Sequence, residues 1–160
     1  MLTVYNDVFT AEKNLELYKT ILYKNSFTYG EVDTNDTPPT GMVLNLPLDS
    51  TLFKEFYDAV IRNHFAVKNL KVQRAYVNLF LPNENPYFHN DGNVITCLFY
   101  ITPEYDINEG GETQFMIDDN IVGVKARPAR MVVFDGKIVH RATSFRNNPR
   151  LTVALKFIPE

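Results

Sequence analysis

From residue 70 onward the chain repeats one pattern: a short run in which apolar and polar residues alternate, then a cluster of turn residues. The runs are 71–81 (KVQRAYVNLFL), 94–102 (VITCLFYIT), 111–117 (GETQFMI), 121–127, 130–134 (RMVVF), 137–144 and 150–158 (RLTVALKFI). Between them stand NENP, PEYDINEG, RPA, DGK and RNNP. Parallel strands need a crossover of about a dozen residues or more, so connections this short make antiparallel pairing dominant. Upstream the period is helical. Segment 11–24 places Ala11, Leu15, Tyr18, Ile21 and Leu22 at helical spacing, with Thr10 as N-cap and Glu12 in the first turn. A second helix begins at Asp49 or Ser50 and sets Phe53, Phe56, Tyr57, Val60, Ile61 and His64 on the side that packs on a sheet. Two helices and then about eight antiparallel strands predict a mainly β fold, a jelly-roll or double-stranded β-helix buttressed by N-terminal helices. A length of 160 residues suits one domain over 1–160, with the helical buttress at about 10–65 and the jelly-roll core at about 70–158.

Composition narrows the chemistry. With 45% hydrophobic and 22% charged residues the chain is globular, which excludes collagen-like and largely disordered readings. Its one cysteine, Cys97, makes neither an intramolecular disulfide nor a Cys-rich zinc site, so any metal must be held by His and carboxylates. No apolar run approaches the roughly 18 residues of a membrane helix and no signal-peptide pattern opens the chain, so no membrane partner is expected and the location expected is cytoplasmic. The net charge of −3 argues against general nucleic-acid affinity. It is unevenly placed, since residues 120–160 carry 8 basic and 2 acidic side chains whereas 1–119 carry 8 and 17. Something anionic is expected near the C-terminal quarter.

His89 and Asp91 stand two apart, so in an extended segment both side chains leave one face and can share a metal ion. His140 lies 51 residues further on, in DGKIVHRATSF, on a different strand that a double-sheet barrel can bring alongside. Two histidines and one carboxylate leave metal positions open, as suits non-haem Fe(II) working with O2; zinc in a hydrolase uses similar ligands. His64, at the edge of a helical apolar face, is assigned to structure. On 150–158, Arg150, Thr152, Ala154 and Lys156 share a face. A guanidinium entering a barrel interior needs an anionic partner, and no acid on a neighbouring strand supplies one, so a bound anion is expected there; an exposed edge-strand Arg in a surface ion pair is the alternative. Tyr100, on a face with Thr96 and Leu98, is a phenol able to donate to the same anion. Tyr76, Asn78 and Phe80 share a face just before the metal pair.

In order, His89 and Asp91, then VITCLFYIT, then 110–115 (GGETQF), then 130–140 (RMVVFDGKIVH), then 150–157 (RLTVALKF), the sequence resembles the Fe(II)- and 2-oxoglutarate-dependent dioxygenases. It is most similar to the prolyl-4-hydroxylase-like branch, over about residues 72–158, and the small size suits its stand-alone bacterial or phage-encoded members. The resemblance implies that His89, Asp91 and His140 bind Fe(II), that Arg150 forms a salt bridge to the distal carboxylate of 2-oxoglutarate, and that Tyr100 hydrogen-bonds that carboxylate. Many relatives carry a cosubstrate-binding Tyr nine or ten positions before the first metal His; Leu79 and Phe80 stand there, leaving Tyr76 or Asn78 to substitute.

The activity implied is hydroxylation of a C–H bond, foremost on a prolyl residue of a peptide or protein, consuming O2 and 2-oxoglutarate and releasing succinate and CO2, with ascorbate as reductant. Leu98, Phe115 and Val133 are expected to shield the reacting centre, and the loops 31–41 and 103–110 to shape selectivity. In a phage-encoded member the location is the host cytoplasm. Asn78-Leu79-Phe80 and the Arg150 to Lys156 spacing also resemble AlkB-type nucleic-acid demethylases, which keeps a nucleic-acid substrate as an alternative. A cupin-like metal-binding protein without oxygenase activity is another, and a structural jelly-roll module with incidental histidines a third.

Overall fold

In the computed structural model, which describes residues 1–103 and 106–159, each helix starts at the hydroxyl placed to cap it. Thr10 Oγ1 accepts from the Lys13 N–H at 3.1 Å ahead of α1 (Ala11–Lys24), and Ser50 Oγ accepts from the Phe53 N–H at 3.1 Å ahead of α2 (Thr51–Asn63). α1 packs Tyr18, Ile21 and Leu22 of its expected face on the core, but it also buries Asn14 and Leu17 and leaves Ala11 and Leu15 exposed. Asn14 is held inward by its buried amide Nδ2, which donates to the Ile101 carbonyl at 3.0 Å. No helix among the described residues is long and apolar enough to cross a membrane.

The strands are β1 (Leu2–Tyr5), β2 (Thr28–Tyr29), β3 (Met42–Asn45), β4 (Lys71–Phe80), β5 (Ile95–Tyr100), β6 (Thr113–Ile117), β7 (Asn120–Val124), β8 (Arg130–Asp135), β9 (His140–Ala142) and β10 (Arg150–Ile158). All pairs are antiparallel. They form a seven-stranded sheet, β1-β8-β5-β10-β4-β3-β2, facing a three-stranded one, β7-β6-β9. This is the expected mainly β jelly-roll, with β1, β2 and β3 added to the strands read from the period-2 runs. The expected strand 137–144 contracts to β9, because 135–138 is spent on a turn in which Asp135 Oδ1 accepts from the Lys137 N–H at 2.9 Å.

Alternation divides the core in two. On the helix side of the large sheet, Val77, Cys97, Phe99, Met131, Val133, Val153 and Leu155 pack with Leu17, Ile21, Phe56 and Val60, and the Phe56 and Phe99 rings lie 5.1 Å apart edge to face. Between the sheets, Leu98, Tyr100, Phe115, Val132, Phe134 and Phe145 form a second cluster. The inward residues of β4, β5, β8 and β10 therefore face the space between the sheets, and the polar members of those strands meet there.

Candidate metal centre and anion pocket

His89 follows β4 and His140 opens β9, yet the two exchange both backbone hydrogen bonds, His89 N–H to His140 O at 3.0 Å and His140 N–H to His89 O at 2.8 Å. A reciprocally bonded antiparallel pair sends both side chains to the same face, and the imidazole centroids stand 4.6 Å apart. Asp91 is fixed two residues later by its N–H to Gly136 O at 2.7 Å. Gly136 permits that approach, since a Cβ there would stand 2.7 Å from Val94 Cγ2 and 3.0 Å from Asp91 Cβ.

Both imidazoles are held in one tautomer. His89 Nδ1 lies 3.0 Å from Tyr87 O and His140 Nδ1 lies 2.7 Å from Ile138 O. A carbonyl can only accept, so Nδ1 carries the proton and Nε2 presents its lone pair. Each Nε2 is 3.7 Å from an Asp91 carboxylate oxygen, and one ligand atom from each of the three residues fits within 4.8 Å of the others. Burial pushes His140 below the ordinary imidazole pKa, which keeps it neutral and ready to ligate. This donor set fits a divalent metal with open positions.

Asp91 is stabilised as an anion. Burial alone would raise its pKa, but Lys156 Nζ at 2.7 Å from Oδ1, with the Thr96 hydroxyl donating to Oδ2 at 2.8 Å, holds it below the usual carboxylate range. For Lys156 the downward pull of burial is outweighed by Tyr76 and Asp91. The Tyr76 ring lies under two cations, Arg74 at 4.1 Å and Lys156 at 5.4 Å.

Arg150 is the largest fully buried side chain, at 1% exposure, and it lines the same cavity, about 150 Å³ in volume. Its Nε donates to Gly111 O at 2.7 Å and an Nη to Thr113 Oγ1 at 3.0 Å. Among the described residues no carboxylate lies within ion-pair distance of it, and burial lowers its pKa. A buried cation bonded only to neutral oxygens retains an unmet demand for an anion.

His89, Asp91, His140, Arg150, Asn78 and Tyr76 all line this one cavity. Asn78 Oδ1 is buried there without a partner, which leaves hydrogen-bonding capacity that a ligand can take up. Tyr100 does not line the cavity; its hydroxyl donates to Thr113 Oγ1 at 2.7 Å, behind the wall. Thr113 Oγ1 thus accepts from Tyr100 and Arg150 together, and its own hydrogen is left to donate into the cavity. Val133, expected as a shield, packs under the helices because β8 sends Val132 and Phe134 inward instead; the Phe134 ring stands 4.6 Å from that of His140. The loop 31–41 does reach the site, contributing Glu31, Val32, Asp33 and Thr40. Of the loop 103–110, Glu104 and Tyr105 lie outside the described residues, and none of the remainder lines the cavity.

Sequence reading placed Thr96 on the Tyr100 face without giving it a role, and it missed Thr113, Asp33 and the pairing of Lys156 with Asp91. Period-2 alternation with Phe115 is the signal that would have found Thr113; the others depend on contacts across the barrel. His64, assigned to structure, takes a hydrogen bond with the Tyr5 hydroxyl at 2.8 Å and caps the end of α2.

No protein-family model and no curated protein sequence matches the chain. Solved structures do. A Trichoplax adhaerens prolyl hydroxylase in complex with a hypoxia-inducible-factor oxygen degradation domain peptide fragment superposes with a TM-score of 0.78 at 14% identity, covering 98% of this chain and 83% of that one. The viral collagen prolyl hydroxylase of Paramecium bursaria Chlorella virus-1, in its 2-oxoglutarate complex, gives 0.70 at 11% identity over 99% and 96%. The fold is that of the 2-oxoglutarate/Fe(II) oxygenases. HygX of Streptomyces hygroscopicus, with nickel, 2-oxoglutarate and hygromycin B bound, gives 0.77 at 14% over 99% and 82%. The fold thus accommodates both a peptide and hygromycin B, and substrate choice must be argued from the site itself.

Proposed function

We propose that this chain is an Fe(II)- and 2-oxoglutarate-dependent dioxygenase of the prolyl-4-hydroxylase-like branch, acting on a C–H bond of a prolyl residue in a peptide. The observation that carries the reading is the pairing, in one cavity, of two Nε2 lone pairs converging on Asp91 with a buried Arg150 that lacks an anion. Fe(II) held by His89, Asp91 and His140 would supply the activation of O2 that couples conversion of 2-oxoglutarate to succinate and CO2 with hydroxylation of the substrate.

The chain's own residues supply placement. Arg150 attracts the distal carboxylate of 2-oxoglutarate, Thr113 donates to it, and Tyr100 fixes Thr113 from behind. Phe134 and Leu98 are apolar walls of the cavity that holds the metal ligands and Arg150, and Phe115 packs beside His140. Ascorbate serves as the external reductant. Two structural relatives whose names specify prolyl hydroxylases, one holding a peptide, support the peptidyl substrate. The net charge of −3 favours the peptide over the nucleic-acid alternative, since a phosphate backbone calls for an excess of basic residues.

The test is to incubate the protein with Fe(II), ascorbate and 2-oxoglutarate, to quantify succinate, and to screen proline-containing peptides for a gain of one oxygen by mass spectrometry. Succinate release that disappears in His140→Ala supports the oxygenase reading. Release without any peptide modification overturns the prolyl substrate, and a wild-type protein that neither retains metal nor forms succinate overturns the class.

A further inference from the structure

We infer that Asp33, carried on the loop 30–41, is a positioning residue for His89 and makes seating of that loop and readiness of the metal site a single event. The inference rests on His89 being a metal ligand.

Asp33 Oδ1 stands 3.5 Å from His89 Nδ1, the nitrogen that also faces Tyr87 O. Its Oδ2 accepts from the Tyr87 N–H at 2.7 Å and from the Thr40 hydroxyl at 3.3 Å. One carboxylate therefore holds the backbone just before the ligand and the far end of its own loop, and it sets a negative charge beside the ligand's ring. The side chains are largely buried, 12% exposed for Asp33 and 17% for His89, so their interaction is poorly screened by solvent. A carboxylate on the non-ligating nitrogen of a metal-binding imidazole fixes the ring orientation and raises the basicity of the ligating nitrogen.

The loop is held by few other fastenings. Thr40 N–H bonds Glu31 O at 2.9 Å, the Glu31 carboxylate pairs with Arg74 at 2.8 and 3.1 Å, and Gly41 N–H bonds Glu84 Oε1 at 3.0 Å. Among the described residues of the loop, only Asp33 lies within ion-pair distance of a candidate ligand. Metal binding that orders the His89 ring must then favour the seated loop, and a seated loop must favour metal binding to the same degree.

Mn(II) is the probe, with its affinity read from the free-ion electron paramagnetic resonance signal and loop seating read by hydrogen exchange of peptides covering 30–41. Asp33→Asn keeps an oxygen for the Tyr87 N–H but turns no charge toward His89. It should leave loop protection in the metal-free protein near wild type while weakening Mn(II) binding about 10-fold, and Asp33→Ala should lose both. Mn(II) should slow exchange in the wild-type loop and fail to do so in Asp33→Asn. Wild-type Mn(II) affinity in Asp33→Asn, with a loop indifferent to metal, overturns the role of Asp33 and leaves the metal site standing. If His89→Ala binds Mn(II) as tightly as wild type, the metal-site reading falls, and this inference falls with it.

Discussion

The Lys156 ammonium stands 2.7 Å from Asp91 Oδ1, at the opposite end of one strand face from Arg150. Their side chains are 16% and 5% exposed, so each charge relies on the other. Removing one partner of such a buried pair costs about 3 kcal/mol because the remaining charge is stranded. Lys156→Met should therefore destabilise the metal-free protein by about that amount in urea unfolding. Saturating Mn(II), which gives Asp91 a new cationic neighbour, should recover much of the loss.

Arg150→Ala should behave differently. The guanidinium has no carboxylate to strand, so the metal-free variant should unfold within about 1 kcal/mol of wild type despite the buried location. What it should lose is the response to 2-oxoglutarate. Ligand at about 100 times its dissociation constant adds about 2.7 kcal/mol to wild-type stability in the presence of Mn(II), and Arg150→Ala should show no such gain in thermal unfolding, with Arg150→Lys intermediate.

Thr113→Val removes the oxygen shared by Tyr100 and Arg150 while keeping the shape of the side chain. Losing that bond and the donor to the cosubstrate should weaken 2-oxoglutarate about 10-fold by calorimetry. Tyr100→Phe, acting one step further back, should weaken it less.

Gly111 has φ +75°, and a Cβ there would drive into the Phe145 ring. Its carbonyl is also the acceptor for Arg150 Nε. Gly111→Ala should cost about 3 kcal/mol from backbone strain and overpacking combined, and it should impair 2-oxoglutarate binding even where the protein stays folded.

Burial pushes the Cys97 thiol from 9.0 to about 12. The folded state thus binds a proton that the unfolded chain gives up first, so this contribution is whole below pH about 9 and is lost as pH rises toward 12, about 4 kcal/mol in all. Cys97→Ala should be less stable than wild type at neutral pH because of the cavity it leaves. In denaturant titrations that gap should shrink by about 2 kcal/mol by about pH 10.5.

Strands with five or more alternating residues were legible, as β4, β5, β8 and β10 show, because one face of each meets the helices and the other meets the cavity. β1 and β3 have four residues each and β2 has two, too few for a period to stand out, and β1 joins the sheet only through β8, far along the chain. The same division holds within the site. His89 and Asp91 announce themselves by spacing, and Arg150 by an ionised group amid apolar alternation. Asp33 and Thr113 are ordinary loop and strand residues in sequence, and only the closing of two sheets gives them partners.

β10 is bonded on both sides, to β4 and to β5, and its register is unbroken from Arg150 to Lys156. Six residues of extended strand measure about 20 Å. The strand thus serves as a gauge, with its length setting how far apart the anion-holding and carboxylate-holding ends can stand. A central strand opens only with the whole molecule, so the spacing of the ends should persist until global unfolding, and its amides should be the last to exchange. The entrance is fastened by loop contacts alone, and its amides should exchange before the gauge loses its calibration.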